Sequence, residues 1–327
     1  MSDVHRPSMW VGVDVSKKKF DVFVERPDGR GKSKVFSNDA DGFAALLAWG
    51  RAQGLDWAQC GVCLEATGPY GTALARALHE AGAVVAIENP ARIQAYARTL
   101  GVRAKTDRVD ARLIARYARQ HTPRRWTPPS PQQERLHALV SRLDDLIVMH
   151  TMERARAQQV HGEALRSVHI ILEALQDEMA RLREAIQAQI DRDGDLRRNA
   201  QLLESIPGLG PETISRVLAY LGAVERFENA GQVVAYSGVN PRLRQSGQRT
   251  GASPISKQGS SALRKALYMP ALVARRHNPV LRAFCDRLAA RGKHPKQVLV
   301  AAMRKLLHLI WGVLKSGRPF DPAMGLP

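Results

Sequence analysis

The spacing of apolar residues changes once along this chain, near residue 130, and that change demands two architectures in one polypeptide. Before it, short runs alternate at period 2, the repeat of a strand with one face buried. WVGVDVS (10–16), KFDVFVER (19–26) and GKSKVFSN (31–38) read as three strands joined by tight turns. DADGFAALLAWGRAQG (39–54) reads as a helix capped by Asn38 or Asp39 and stopped by Gly54. The strand QCGVCLEATG, the helix YGTALARALHEAG and the strand AVVAIENP follow, and a further helix runs from about Thr106 to Gln120. A meander followed by alternating helices and strands makes an α/β domain with a mixed sheet.

TPRRWTPPSPQQ (122–133), with four prolines, reads as a linker. Beyond it the period is helical. Leu136, Leu139, Leu143 and Leu146 step by three or four, and so do Val168, Leu172, Leu175, Met179, Leu182 and Ile186. The second run is a heptad seam that a lone helix cannot bury, so it pairs within the chain or between protomers. LLESIPGLGPETISRVLAYLG (202–222) has the form helix, tight glycine turn, helix; in a helix-hairpin-helix, glycines such as Gly208 and Gly210 let backbone approach a phosphate. Helices are again expected over 261–276 and 295–315. The expected divisions are 8–122 for the α/β domain, 123–198 for linker and coiled-coil-type helices, and 199–320 for a mainly helical C-terminal domain.

Charge is partitioned as sharply as period. The 327 residues carry a net charge of +18. Residues 90–130 hold 10 Lys and Arg against 2 acids, and 241–310 hold 15 against 1, whereas 131–240 are net acidic. Two segments therefore hold all the excess, which marks two places that grip phosphate. The first offers Arg103, Lys105, Arg112 and Arg116; the second offers Arg242, Arg244, Arg249, Lys257, Arg264 and Lys265. Three cysteines make no disulfide framework and fit a reducing interior. Cys60 and Cys63 would point to opposite faces of a strand, which argues against a shared metal. MSDVHRPSMW has no apolar signal-peptide core, and Arg304 and Lys305 interrupt the most apolar stretch, so no membrane span is expected.

Against this basic background four acids stand out. Asp14 shares a strand face with Gly12 and Ser16 inside an apolar run, where a carboxylate is costly unless paired or metal-bound. Glu65 closes a buried strand just before a glycine turn, the strand end where α/β sheets place ligands. Asp107 and Asp110 are spaced i, i+3 near a helix N-terminus and share one face. Carboxylates without His or Cys suit Mg²⁺ or Mn²⁺, and two such ions about 4 Å apart stabilise both oxygens of an in-line phosphoryl displacement. No P-loop pattern occurs, so no ATP is expected. Among the serines of the second basic segment, Ser246 lies between Arg242, Arg244 and Arg249, which would assist a hydroxyl nucleophile; Ser237, Ser253, Ser256, Ser260 and Ser261 lie close by.

VGVDVSKKKFDV, CLEATGPYG, ENPARIQAYA, KTDRVDARLIARYA, LESIPGLGPETI, AYSGVNPR, QSGQRTGASPISKQGSSALRKALYMPA and GVLKSGRPFD, in that order, resemble the DEDD transposases of a bacterial insertion-sequence family. That family includes Piv/MooV-like DNA invertases and members guided by a bridge RNA. The resemblance spans nearly the whole chain. It implies a RuvC/RNase H-like N-terminal domain whose acids would be Asp14, Glu65, Asp107 and Asp110, holding Mg²⁺, and a C-terminal transposase domain whose nucleophile would be Ser246. It also implies double-stranded donor and target DNA, a non-coding guide RNA, a homodimer assembling to a homotetramer, and a cytoplasmic, nucleoid location. The residues themselves leave two rivals open. One is a metal-dependent nuclease or Holliday-junction resolvase, which needs no serine; the other is a non-catalytic nucleic-acid-binding protein.

Overall fold

The structure is a computed structural model. It describes residues 7, 9–25, 31–66, 68–101, 107–242, 245–246, 249–250 and 254–323; the side chains of 107–109, 245–246 and 249–250 are outside that description. Contacts divide the chain into two units, Met1–Pro128 and Pro129–Pro327.

The first unit is built on a five-stranded sheet. Strands β1 (Met9–Val15), β2 (Lys19–Glu25) and β3 (Gly31–Ser37) form an antiparallel meander, and β4 (Cys60–Glu65) and β5 (Val84–Glu88) extend it in parallel from β1. The order is β3-β2-β1-β4-β5. Alternation sorts the side chains. Val11, Val13, Phe20, Val22, Val62, Leu64 and Val85 form one buried cluster with Leu46 of α1 (Ala40–Ala52) and Leu74 and Leu78 of α2 (Thr72–Glu80). Trp10, Cys63 and Ala86 pack on the opposite face against α3 (Pro90–Thr99) and α4 (Asp107–His121). Cys60 and Cys63 thus belong to clusters on opposite faces, and both are buried free thiols. Asp39 is the cap of α1, accepting from the Gly42 N–H at 2.8 Å. The sequence reading did not anticipate α3. There the Asn89-Pro90 pair opens a helix, with Asn89 capping Ala91 and proline at the first helical position.

The linker is not free along its length. The Trp126 N–H donates to the Val85 carbonyl at 2.7 Å, and its ring meets His79 edge-on.

The second unit is helical: α5 (Pro131–Ala157), α6 (Gly162–Arg192), α7 (Gly194–Glu204), α8 (Pro211–Leu221), α9 (Ala230–Ser237), α10 (Ser261–Ala266), α11 (Tyr268–His277), α12 (Pro279–Ala290) and α13 (Pro295–Ser316). The heptad seam is spent within the chain. Val168, Leu175, Met179, Leu182 and Ile186 of α6 are buried, as are Leu136, Val140, Leu143 and Leu146 of α5, and the two helices form a hairpin. One core runs from this hairpin through α13, which alone buries Val298, Leu299, Leu306, Leu307 and Ile310. α13 is long and apolar enough to cross a membrane, yet it is the central helix of this core. Asp144 of α5 accepts from Arg216 Nε at 2.8 Å and from the Tyr220 hydroxyl at 2.7 Å, which ties α8 to the hairpin.

Candidate active site

The site in the first unit begins with a close approach of helix to strand. A Cβ on Gly12 would stand 2.1 Å from the Ala111 carbonyl oxygen and 2.4 Å from the Ala115 nitrogen, so α4 lies directly on β1 there. Its direction follows from its cations. Arg116 and Arg119 reach Glu25 Oε1 at 3.6 and 3.7 Å, and Glu25 lies beside the start of β1. The first turn of α4, with Asp107 and Asp110, therefore lies toward the Asp14 end of β1.

Asp14, two residues beyond Gly12, is half-buried on the face that α4 covers. Glu65, also half-buried, ends β4 at the same level, one step beyond the Val13–Leu64 pair. Asp110 is half-buried on α4. Asp14, Glu65 and the α4 turn are thus brought to one end of one sheet face. Among the described residues, no three His, Cys, Asp or Glu side chains converge closely enough to hold a metal ion; Asp107 enters this description through its backbone alone. The donor set around this end is carboxylate oxygen, the chemistry that Mg²⁺ and Mn²⁺ take.

Two further acids, missed in the sequence, extend the row. Asp21 is paired with Asp14 across β1 and β2, and Glu88 with Glu65 across β4 and β5, so Asp21, Asp14, Glu65 and Glu88 cross four neighbouring strands at one level. Asp21 is buried and ion-paired with Lys19 Nζ at 3.4 Å. Glu88 is buried and accepts from the Asn89 N–H (2.8 Å), Arg92 Nη1 (3.0 Å) and the Tyr117 hydroxyl (2.9 Å). Burial, with Glu88 beside it, pushes the Tyr117 hydroxyl up to about 12. Burial, and the charges of Glu88 and Glu65, push the Cys63 thiol well above its usual range, which keeps it inert. The signal for Asp21 was present: it sits mid-strand in KFDVFVE as Asp14 does in WVGVDVS.

The second unit carries Ser246 on a small ribbon. Strands β6 (Gln245–Ser246) and β7 (Arg249–Thr250) are antiparallel, with Ser246 opposite Arg249. The pairing continues below: Arg242 N–H donates to the Pro254 carbonyl, Ser256 N–H to Asn240 and Lys257 N–H to Gly238. Three of the neighbouring serines are occupied structurally. Ser237 is fully buried and donates to the Val234 carbonyl, Ser256 donates to Asn240 Oδ1 at 2.6 Å, and Ser260 caps α10. Ser261 is exposed, and Ser253 lies outside the described residues.

The basic residues divide similarly. Arg242, Lys257 and Lys265 are exposed, and Lys257 holds a left-handed backbone at φ +54°. Arg264 donates to the Ser237 carbonyl at 2.8 Å. On α4, Arg112 is exposed over the Phe23 ring and Arg116 is ion-paired with Glu25. Arg103, Lys105 and Arg244 lie outside the described residues, and Arg249 is placed by its backbone alone. Gly208, at φ +104°, backs onto Ala274 of α11, where a Cβ would meet Cα at 2.6 Å; Gly210 faces open space. Glu212 in the first turn of α8 is ion-paired with Arg183 and Arg216.

Comparison with known proteins places the chain. Residues 11–170 match the model of the DEDD transposase domain of the IS110 type, and residues 200–286 match the transposase model of the IS116/IS110/IS902 family. The pilin gene-inverting protein of Moraxella bovis is 33% identical over 315 residues, covering 95% of this chain and 97% of that protein. The chain belongs to the IS110 family of DEDD transposases and recombinases. This IS110-family chain is equally similar, at 33% over 315 residues, to the pilin gene-inverting protein of Moraxella lacunata. An uncharacterized 44.8 kDa protein of insertion element IS116 from Streptomyces clavuligerus is 28% identical over 187 residues, covering 55% of this chain and 46% of its own length.

Proposed function

We propose that this IS110-family protein cuts and rejoins DNA strands with Ser246 as nucleophile, assisted by a divalent ion held by Asp14, Glu65, Asp107 and Asp110. The observation that carries the reading is the pair of half-buried carboxylates, Asp14 and Glu65, level on adjacent parallel strands beneath the helix that brings Asp107 and Asp110. The strand order β3-β2-β1-β4-β5, with only the first three strands antiparallel, supports an RNase H-like reading of this unit.

When bound, Mg²⁺ or Mn²⁺ supplies Lewis-acid charge at the phosphoryl oxygens. The serine hydroxyl, losing its proton, forms a bond to the scissile phosphorus while one bridging P–O bond breaks and the freed strand end takes a proton. A hydroxyl of a second strand end then attacks the phosphoserine and releases Ser246. The bond energy is conserved in the ester, so no ATP enters. Arg242, Arg244 and Arg249 offset the added negative charge of the pentacovalent state. The structural duties of Ser237, Ser256 and Ser260 remove three of the neighbouring hydroxyls from contention and so favour Ser246.

Double-stranded DNA is the substrate in this reading. The basic stretches 90–130 and 241–310 hold donor and target strands, with Gly208 and Gly210 of the hairpin turn as a further contact. A non-coding guide RNA selects the site, and the work is done at the cytoplasmic nucleoid. Assembly as a homodimer and then a homotetramer is supported by the free end of the α5–α6 hairpin, where Val148, Met149, Met152, Ile170 and Ile171 are exposed.

The test is recombination in cells carrying the gene with its native flanking DNA, comparing wild type with Asp14→Ala and Ser246→Ala. Both variants are expected to lose recombination, and Ser246→Ala to lose a covalent protein–DNA adduct on denaturing gels. Recombination by Ser246→Ala would remove the serine and put a metal-only mechanism of strand transfer in its place. Full nucleic-acid activity in Asp14→Ala would leave a binding protein.

A further inference from the structure

We propose that Tyr70 is a base-stacking residue at the rim of the carboxylate row, holding an unpaired nucleobase of the DNA strand next to the scissile phosphate. The proposal rests on reading the first unit as the DNA-cutting domain.

The backbone that carries this ring is anchored from neighbouring elements. Glu65 ends β4, and within five residues the chain enters a single helical turn, Gly68–Gly71, with Gly68 at φ +77°. A Cβ on Gly71 would stand 3.7 Å from Leu64 and 3.9 Å from Val15, so this turn is seated on the last residues of β4 and β1. One side chain fastens it. The Asn38 amide donates to the Ser16 carbonyl at 2.9 Å and to the Tyr70 carbonyl at 3.1 Å, using both of its N–H groups across sequence separations of 22 and 32 residues. The Asn38 backbone N–H donates to Lys18. The segment that follows Asp14, the start of α1 and the turn that follows Glu65 are therefore held together by one residue.

On this anchored backbone Tyr70 is left 43% exposed as a residue. A tyrosine held through its backbone yet this exposed retains apolar surface to cover. Lys17 and Lys18, both exposed, lie on the same rim. An aromatic face beside cations is the pairing with which proteins hold single strands, stacking the base and neutralising the phosphate. Asp14 and Glu65, near the ends of the same two strands but on the other sheet face, would repel a strand that lacked such cations, so the lysines and the ring together set where a strand enters.

The experiment uses the full chain without added divalent ion, and two DNA probes. One is a plain duplex, and the other carries a four-nucleotide unpaired bubble containing 5-iodouracil, which photocrosslinks to stacked aromatic side chains. Wild type is expected to form an adduct that peptide mapping assigns to Tyr70. Tyr70→Ala is expected to lose that adduct and to bind the bubble about 5- to 150-fold more weakly, with duplex binding and melting temperature unchanged. Tyr70→Phe and Tyr70→Trp keep bubble affinity. Wild-type bubble affinity in Tyr70→Ala, with adducts only elsewhere, overturns the stacking role and leaves the recombinase reading standing. Failure of wild type to bind either probe overturns the recombinase reading and the inference with it.

Discussion

Gly12→Ala is expected to separate the seating of α4 from the rest of the fold. The added Cβ would lie 2.1 Å from the Ala111 carbonyl oxygen, 2.4 Å from the Ala115 nitrogen and 3.0 Å from the Ala115 Cα. Ordinary contact begins near 3.4 Å, so α4 must retreat by about 1.3 Å. All three atoms are backbone of one helix, and no rotamer change can relieve them. Overpacking of this kind costs about 1–3 kcal/mol. In a unit spanning Met1–Pro128 that corresponds to a melting temperature lower by roughly 3–15 °C. The chemical consequence is larger, because α4 carries Asp107 and Asp110. A misplacement of about 1 Å at a reacting centre costs on the order of 100-fold in rate. The measurements are thermal unfolding by circular dichroism and recombination frequency in cells grown below the melting transition. Gly61→Ala is the control: its Cβ would meet the Trp10 side chain at 2.6 Å, toward the start of β1 and away from the acids. It should lower stability without the disproportionate loss of strand transfer. A Gly12→Ala protein that melts and recombines like wild type would refute both the seating of α4 on β1 and its role in placing the acids.

Gly208→Ala and Gly210→Ala should part company. The first combines a positive φ with a clash against the Ala274 backbone and should cost about 2–4 kcal/mol in the second unit; the second points into open space and should cost under about 1 kcal/mol. DNA retention that falls in Gly210→Ala at unchanged melting temperature supports a phosphate contact at the turn, and retention equal to wild type removes it. Tyr117→Phe should lower stability by about 1–2 kcal/mol at neutral pH, by removing one of the three hydrogen bonds to Glu88. It should also change the alkaline limb of the stability curve. The folded state raises the Tyr117 pKa from 10.0 to about 12, so its contribution is complete below pH 10 and is lost as pH climbs through 12. Unfolding titrations between pH 8 and 12 should show a shallower decline in the variant; parallel curves would show that Tyr117 does not titrate as a partner of Glu88.

The sheet was legible because four of its strands are largely buried apolar runs and the exposed β3 closely follows β2 in sequence. The helices α3 and α12 were not, and for one reason. Each begins with Asn-Pro, at Asn89-Pro90 and Asn278-Pro279, a dipeptide that punctuates a chain whether it ends one element or opens the next. In both places asparagine accepts from helix N–H groups and proline fills the first position, where its missing N–H costs nothing. The helix α9 is set by its ends: Asn229 caps it and Gly238 closes it in a left-handed turn.

The acids show where sequence reasoning stops. Asp14 and Glu65 were found because a carboxylate in an apolar strand is conspicuous, yet by that criterion Asp21 and Glu88 are equally conspicuous. What the strand pattern does not show is partnership, part of which comes from residues far away in sequence. Glu88 is held by Tyr117, 29 residues on, and by Arg92; Asp21 is held by Lys19. The same logic governs the serines, since Ser256 is recognised as structural only once Asn240 is seen to receive its hydroxyl. A strand face can therefore propose the acids, but the contacts that hold Glu88 are legible only in the tertiary structure. Those contacts give Glu88 a structural duty. Glu88→Gln should accordingly act through stability first, and a strand-transfer defect larger than its unfolding accounts for would move Glu88 into the reacting group.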